Sequence, residues 1–216
     1  MDGTAVYALH MPADEFASAA RPMRNDPDAM DVSRFQEGDE VAFEELVRRR
    51  EREVYQVAYR LLGDREDAQE AVQEAFLIAF RSLKGFRGDA AFRTWLVGIT
   101  INVCRNRAAK AEEKVRRRSL PADPAPADGE TPGPLPLRDP APGPDQRLLG
   151  DELRRALDRA LALLAPEHRE IVVLREVQGM EYEELAAALG CPVGTVKSRL
   201  CRARQALREV LEGVWP

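Results

Sequence analysis

Between Ser119 and Asp145 the chain carries nine prolines and three glycines in 27 residues, and no other stretch restricts its fold as much. Proline has no amide hydrogen and fixes its own φ, so a run this dense ends any helix before it and joins no sheet. The flanking segments, 31–118 and 146–216, are therefore expected to fold as two small domains. A chain of 216 residues leaves each of them enough length for a modest core. As a coil the linker 119–145 spans about 30 Å, and as polyproline helix up to about 80 Å. The two domains are thus expected to be tethered flexibly, with surfaces unfixed relative to each other. Residues 1–30 mix Ala, Asp, Pro and Met without periodicity and read as a disordered N-terminal extension.

Both domains read as all-α. In the first, Gly38-Asp39 precede Phe43, Leu46, Val47, Val54, Val57, Leu61 and Leu62 at helix spacing, and Gly63 ends that run. Asp64 is placed to cap the next helix, whose inner face is Ala68, Ala71, Val72, Ala75, Phe76, Ala79, Phe80 and Leu83. Its outer face is acidic, with Glu66, Asp67, Glu70, Gln73 and Glu74. A loop through Phe86, Arg87, Gly88 and Asp89 leads to a third helix that turns Phe92, Trp95, Leu96, Ile99 and Val103 inward.

The second domain is broken at Pro166 and at Gln178-Gly179, and its last third has the spacing of a helix-turn-helix. Leu185, Ala186 and Leu189 face inward from one helix, Gly190 ends it, and Val193, Val196 and Leu200 hold a second helix against it. That second helix is left with Lys197, Ser198, Arg199, Arg202 and Arg204, and no acid falls between Pro192 and Arg208. A basic helix face is commonly only solvated surface. Here the two-helix spacing, the glycine turn, the small alanines at the crossing and the one-sided charge coincide, and together they predict a helix that enters a major groove.

A net charge of −5 conceals a segregation, and local field rather than net charge decides nucleic-acid contact. Residues 1–80 carry 9 basic against 18 acidic side chains, whereas 81–118 carry 11 against 3. The basic block contains the loop at Phe86. Aromatics beside Arg suit unpaired bases, because every base has a stackable face and a base drawn from a duplex can be held between apolar groups. Phe92 and Trp95 have core spacing, which makes Phe86 the better candidate to line such a pocket.

Other chemistry finds no support. Two distant histidines, no phosphate-binding glycine loop and no nucleophile beside a base leave no catalytic constellation, so neither enzyme nor cofactor is expected. Cys104, Cys191 and Cys201 lack metal-ligand spacing with His10 or His168 and are expected as buried or half-buried free thiols, without zinc or disulfide. No stretch approaches the roughly 20 apolar residues of a membrane span, and no signal peptide is recognisable. A cytoplasmic protein with no direct membrane insertion is expected.

The chain resembles the bacterial sigma factors of the extracytoplasmic-function (ECF) type over residues 34–214. The resemblance lies in Asp67 to Phe80 (DAQEAVQEAFLIAF), Phe86 to Asn102 (FRGDAAFRTWLVGITIN), Leu164 to Gly179 (LAPEHREIVVLREVQG) and the helix-turn-helix from Tyr182 to Arg204. It implies a two-domain, all-helical initiation factor, with sigma domain 2 over 31–118 and sigma domain 4 over 146–216, that binds core RNA polymerase through its clamp helices and flap. Asp67, Glu70, Gln73 and Glu74 match the polymerase-docking surface. Phe86, Arg87, Gly88 and Asp89 match a loop that takes a flipped minus-ten base, with Asn102 beside it. Lys197, Ser198, Arg199, Arg202 and Arg204 match the part of the recognition helix that meets the minus-thirty-five element of promoter DNA. Cys201 and Arg93 depart from the family's usual bulkier and aromatic residues. The family also implies an anti-sigma partner, and a linker that runs through the polymerase.

Two other classes fit less well. A response-regulator output protein would need a strand-helix receiver domain, and no such pattern precedes the helix-turn-helix. A sigma-like decoy that sequesters an anti-sigma factor without promoter binding would have no use for Lys197, Arg199, Arg202 and Arg204.

Overall fold

The structure, a computed structural model, describes residues 26–118 and 156–214. The proline-rich linker and most of the N-terminal extension lie outside the described residues. Helix α1 spans Ala29–Gln36, α2 Val41–Leu62, α3 Arg65–Ser82 and α4 Phe92–Arg118. In the second part, α5 covers 156–163, α6 Pro166–Val172, α7 Tyr182–Leu189 and α8 Val193–Val214. There is no strand among the described residues, and the chain is all-α.

Local signals set most of these boundaries. Gly63 sits at φ 76° with its amide on the Tyr59 carbonyl, the left-handed cap that ends α2. Asp64 then accepts from the Asp67 amide at 2.9 Å and starts α3, a cap worth about 1 kcal/mol. Asp39 accepts from the Val41 amide at 3.1 Å and so opens α2. The folded part begins earlier than the expected boundary at 31: Asp26 already takes part in hydrogen bonds, and α1 starts at Ala29 because Val32 and Phe35 are buried against α2 and α3.

The first body is α1 to α4 around an aromatic core. Phe43 touches Phe35, Phe76 and Phe80 at ring-centroid distances of 5.5, 6.4 and 5.1 Å. Phe92 is fully buried, and the half-buried Trp95 packs on it at a tilt of 47°, 5.9 Å away. Phe80, expected on the inner face, is a partial exception: it packs on Phe35 and Phe43 yet stays 37% exposed.

The second body is α5 to α8. Pro166 occupies the first turn of α6, where a missing amide costs nothing. After Val172 the helix widens into a π turn, Val173–Val177, with the Gln178 amide reaching back five residues to the Val173 carbonyl. Gly179, at φ 65°, then redirects the chain into α7.

The expectation that the two bodies are unfixed relative to each other is not met in this arrangement. Val57 of α2 and Val97 and Ile101 of α4 belong to one apolar cluster with Ile171, Leu174, Leu185 and Leu189. At the centre of this seam a Cβ on Gly98 would stand 3.3 Å from the Ala188 carbonyl oxygen, so α4 and α7 meet almost backbone to backbone. Arginines close the seam at its rim. Arg105 holds Glu170 through two bonds of 2.8 and 2.6 Å, and Arg93 donates to the Gln178 carbonyl at 2.7 Å. Arg169 donates to the carbonyls of Leu161, Ala162 and Leu61, at 2.8, 2.7 and 2.8 Å. Its cation thereby serves the negative C-terminal ends of α5 and α2 together.

Candidate nucleic-acid and polymerase interfaces

The recognition unit is α7, a tight turn and α8. A reciprocal cap starts α7: the Glu181 side chain accepts from the Glu184 amide while the Glu184 side chain accepts from the Glu181 amide at 2.8 Å. Gly190 ends it at φ 62°. Val196, Leu200 and Ala203 are buried and fix α8 on α7. The opposite face of α8 consists of Gly194, Lys197, Ser198, Cys201, Arg202 and Gln205, all exposed and recurring at i, i+3, i+4, i+7, i+8 and i+11, the spacing of one helix face.

The expected contact residues divide on this helix. Ser198 lies in the middle of the exposed face, with Lys197 at one edge and Arg202 at the other. Arg199 is half-buried on the other flank. Arg204 is already engaged, donating to one Glu176 oxygen at 2.9 and 2.7 Å. The Tyr182 ring lies under two cations, with Arg175 4.9 Å and Lys197 5.7 Å from its centroid, a cation–π arrangement that aims Lys197. Cys201 corrects a sequence expectation: it is exposed, because its position falls on the outer face of α8. Gln205 and Tyr182 were not singled out from sequence, although the spacing from Ser198 and Cys201 marks Gln205.

Phe86 to Asp89 form one loop. Phe86 is half-buried, 4.9 Å from Trp95 and 6.4 Å from Phe92, so one side of its ring is packed. Gly88 takes φ 74°, a backbone that side chains disfavour. Arg87 donates to Asp89 at 3.1 Å across it. Asn102 does not join them: it lies seven residues beyond Trp95, about 10 Å along the helix. It is half-buried and shares a face with Gly98 and Arg105, the face turned towards the second body.

On α3, Asp67, Glu70 and Gln73 are exposed and Glu74 is half-buried. Arg107 of α4 bonds Glu70 at 2.8 Å and Glu74 at 3.1 Å, which partly neutralises the stripe. The same face continues into Leu77, 55% exposed, and the outer edge of Phe80. An acidic and apolar surface therefore stands where the sequence showed only acid.

Residues 46–113 match the family described as Sigma-70 region 2, and residues 154–207 that described as Sigma-70, region 4. The RNA polymerase sigma-H factor of Pseudomonas aeruginosa is 37% identical over 182 residues, 84% of this chain and 92% of that protein. The ECF RNA polymerase sigma-E factor of Escherichia coli K12 is 39% identical over 176 residues, 82% of this chain and 90% of that one. Among solved structures, CnrH in complex with the cytosolic domain of CnrY aligns with a TM-score of 0.61 at 28% identity, covering 87% of this chain and 99% of that chain. RpoE from Bartonella quintana, solved with the anti-sigma factor NepR, shares the fold, with a TM-score of 0.58 at 24% identity over 79% of this chain and 96% of that one. The chain belongs to the sigma-70 family, in its extracytoplasmic-function group: it binds core RNA polymerase and directs transcription initiation at promoter DNA, and is not an enzyme. No described helix is long and apolar enough to cross a membrane.

Proposed function

We propose that three surfaces divide the work of initiation. The outer face of α8 reads the minus-thirty-five element, the Phe86–Asp89 loop receives an unpaired minus-ten base, and the acidic and apolar face of α3 docks on the polymerase clamp helices. Lys197, Ser198 and Arg202 meet the DNA directly. Arg199 and Arg204 reach it from the flanks, Arg204 after exchanging Glu176 for a phosphate. Asn102 joins the minus-ten contact once the two bodies part on the polymerase. In this division residues 31–118 act as one functional domain and 146–216 as the other. The site of action is the cytoplasm, where polymerase and promoter are, and an anti-sigma factor is the regulator, as one is bound to the structurally similar RpoE.

The observation that carries this reading is the α8 face: six exposed positions from Gly194 to Gln205 without an acid, on a helix anchored by Val196, Leu200 and Ala203. Duplex phosphates repel acid and attract such a face, and Arg can pair bidentately with guanine for about 1–3 kcal/mol per good contact. The test is transcription from a promoter library with core polymerase and the full chain. Transcripts should begin downstream of one shared pair of elements, and Arg202→Ala should weaken the upstream element about tenfold. No transcription above core polymerase alone, with an anti-sigma factor still bound, would make the chain a decoy.

A further inference from the structure

We propose that Gln36 and Asp26, from the segment ahead of α2, are positioning residues for the minus-ten base, because they fix both ends of the loop that receives it. This rests on the reading of Phe86–Asp89 as the base-taking loop. The region 2 match begins only at residue 46, so both residues lie outside it.

At the entrance of the loop, the Gln36 side-chain amide donates to the Leu83 carbonyl at 3.0 Å and to the Phe86 carbonyl at 2.8 Å. Two carbonyls three residues apart, where the 3-10 turn Leu83–Gly85 unwinds, are thus held by one group 50 residues away in sequence. At the exit, α4 starts with Phe92 and has no acid in its first turn. Helix-start amides have no partner within the helix, and a carboxylate placed there satisfies one and favours the positive end. That carboxylate is Asp26, which accepts from the Phe92 amide at 2.7 Å across 66 residues of sequence.

The segment that supplies both groups is itself fixed. Asp28 is fully buried and accepts from Arg49 at 2.6 Å and Arg50 at 2.8 Å. Arg50 also holds Glu53 at 3.1 Å, and Glu53 accepts from Arg93, the neighbour of Phe92. Val32 and Phe35 sink α1 into the core. Between the two clamped ends only residues 87–91 are left, and the Phe86 ring at the first clamp lies 4.9 Å from Trp95. A loop released at either end regains backbone freedom, which it must lose again on capturing a base.

The test uses the full chain assembled with core polymerase. Gln36→Glu keeps the shape and removes the donor, whereas Gln36→Lys keeps a donor. Asp26→Ala removes the acceptor, whereas Asp26→Asn keeps one. Gln36 is on the surface, so its variants are expected to fold. Permanganate reactivity of melted thymines and transcription from templates varied at each minus-ten position are the readouts. Core-polymerase binding and the thermal midpoint are measured alongside.

Gln36→Glu and Asp26→Ala should lower melting about tenfold, as loss of one or two hydrogen bonds at a committed step would, and flatten the preference at one minus-ten position. Polymerase binding should hold, the midpoint should fall by no more than the few degrees that a lost cap or hydrogen bond costs, and Gln36→Lys and Asp26→Asn should restore most of the preference. Wild-type behaviour of Gln36→Glu and Asp26→Ala, while Phe86→Ala abolishes the preference, overturns the proposal and leaves the base-pocket reading intact. A fall in melting that tracks a fall in midpoint, unrescued by the conservative variants, also overturns it. No effect of Phe86→Ala would sink the base-pocket reading itself, and the proposal with it.

Discussion

The core of the first body and the seam between the two bodies are both buried and apolar, yet they are built from different side chains. The core relies on rings: Phe43 packs on Phe35 and Phe76, Phe92 packs on Phe86 and Trp95, and removing one leaves a space its neighbours cannot fill. The seam relies on small and branched residues, with Gly98 against Ala188 at its centre and Arg105, Arg93 and Arg169 at its rim. Large rings that meet within one body commit the chain to one fold. Smooth helix faces with arginines at the edge can separate and re-form, because each guanidinium can exchange its protein acceptor for water. The difference marks the seam as a joint between finished bodies.

The largest effect expected from this comparison is Phe92→Ala. Truncating a fully buried Phe costs about 3–5 kcal/mol, and denaturant unfolding should show the first body melting at a clearly lower midpoint. Gly98→Leu should do the reverse. Leucine favours an α-helix over glycine by up to about 1 kcal/mol, so α4 is not weakened, but the added side chain has no room beside Ala188. Small-angle scattering should show a larger radius of gyration at unchanged helical content; an unchanged radius would mean that the seam tolerates bulk, and the comparison would fail.

A smaller effect is expected at the rim. Glu170 is 7% exposed and Arg105 41%, so their bond is only partly shielded from solvent. Arg105→Glu and Glu170→Arg should each loosen the seam, and the double reversal should recover it with a coupling of about 1–2 kcal/mol. Additive single effects would show that the pair does not hold the bodies together.

At neutral pH the least effect concerns Cys104, inside the first body, where burial pushes the thiol up to about 12. An unfolded thiol ionises near pH 8.5. The folded value is therefore the raised one, and the stability it contributes is complete below that unfolded value and lost as pH rises towards 12. Between these limits wild type should lose up to about 1.4 kcal/mol per pH unit relative to Cys104→Ala, read from paired denaturation curves. Parallel curves would show that the thiol is not shielded by the core.

Much of the fold was legible because its signals are local. Gly63 and Asp64, Pro166, Gly179 and Gly190 each act within a few residues, and each stands where the sequence reading put a break. The spacing of Val196 and Leu200 likewise defined which side of α8 is free. What escaped depends on residues distant in the chain. Nothing around Gly98 announces Ala188, and nothing around Gln36 announces Phe86. Asn102 shares the sequence block of Phe86 but not its place, since seven residues of helix separate it from Trp95. Phe80 has core spacing and packs on Phe35 and Phe43, yet part of its ring stays outside, which its spacing alone does not announce.

The wide turn at Val173–Val177 restricts how this chain can change in length. A π turn holds one more residue than the α-helix it interrupts. Deleting one residue between Val173 and Val177 would let α6 wind on regularly, and the wide turn that displays Arg175 and Glu176 would be lost. Arg175 would then leave the Met180 carbonyl and the Tyr182 ring, and Glu176 would leave Arg204. Val173 and Leu174 can exchange for other apolar residues of similar size, but a shortened turn would cost the recognition unit two of its struts, Arg175 over Tyr182 and Glu176 on Arg204.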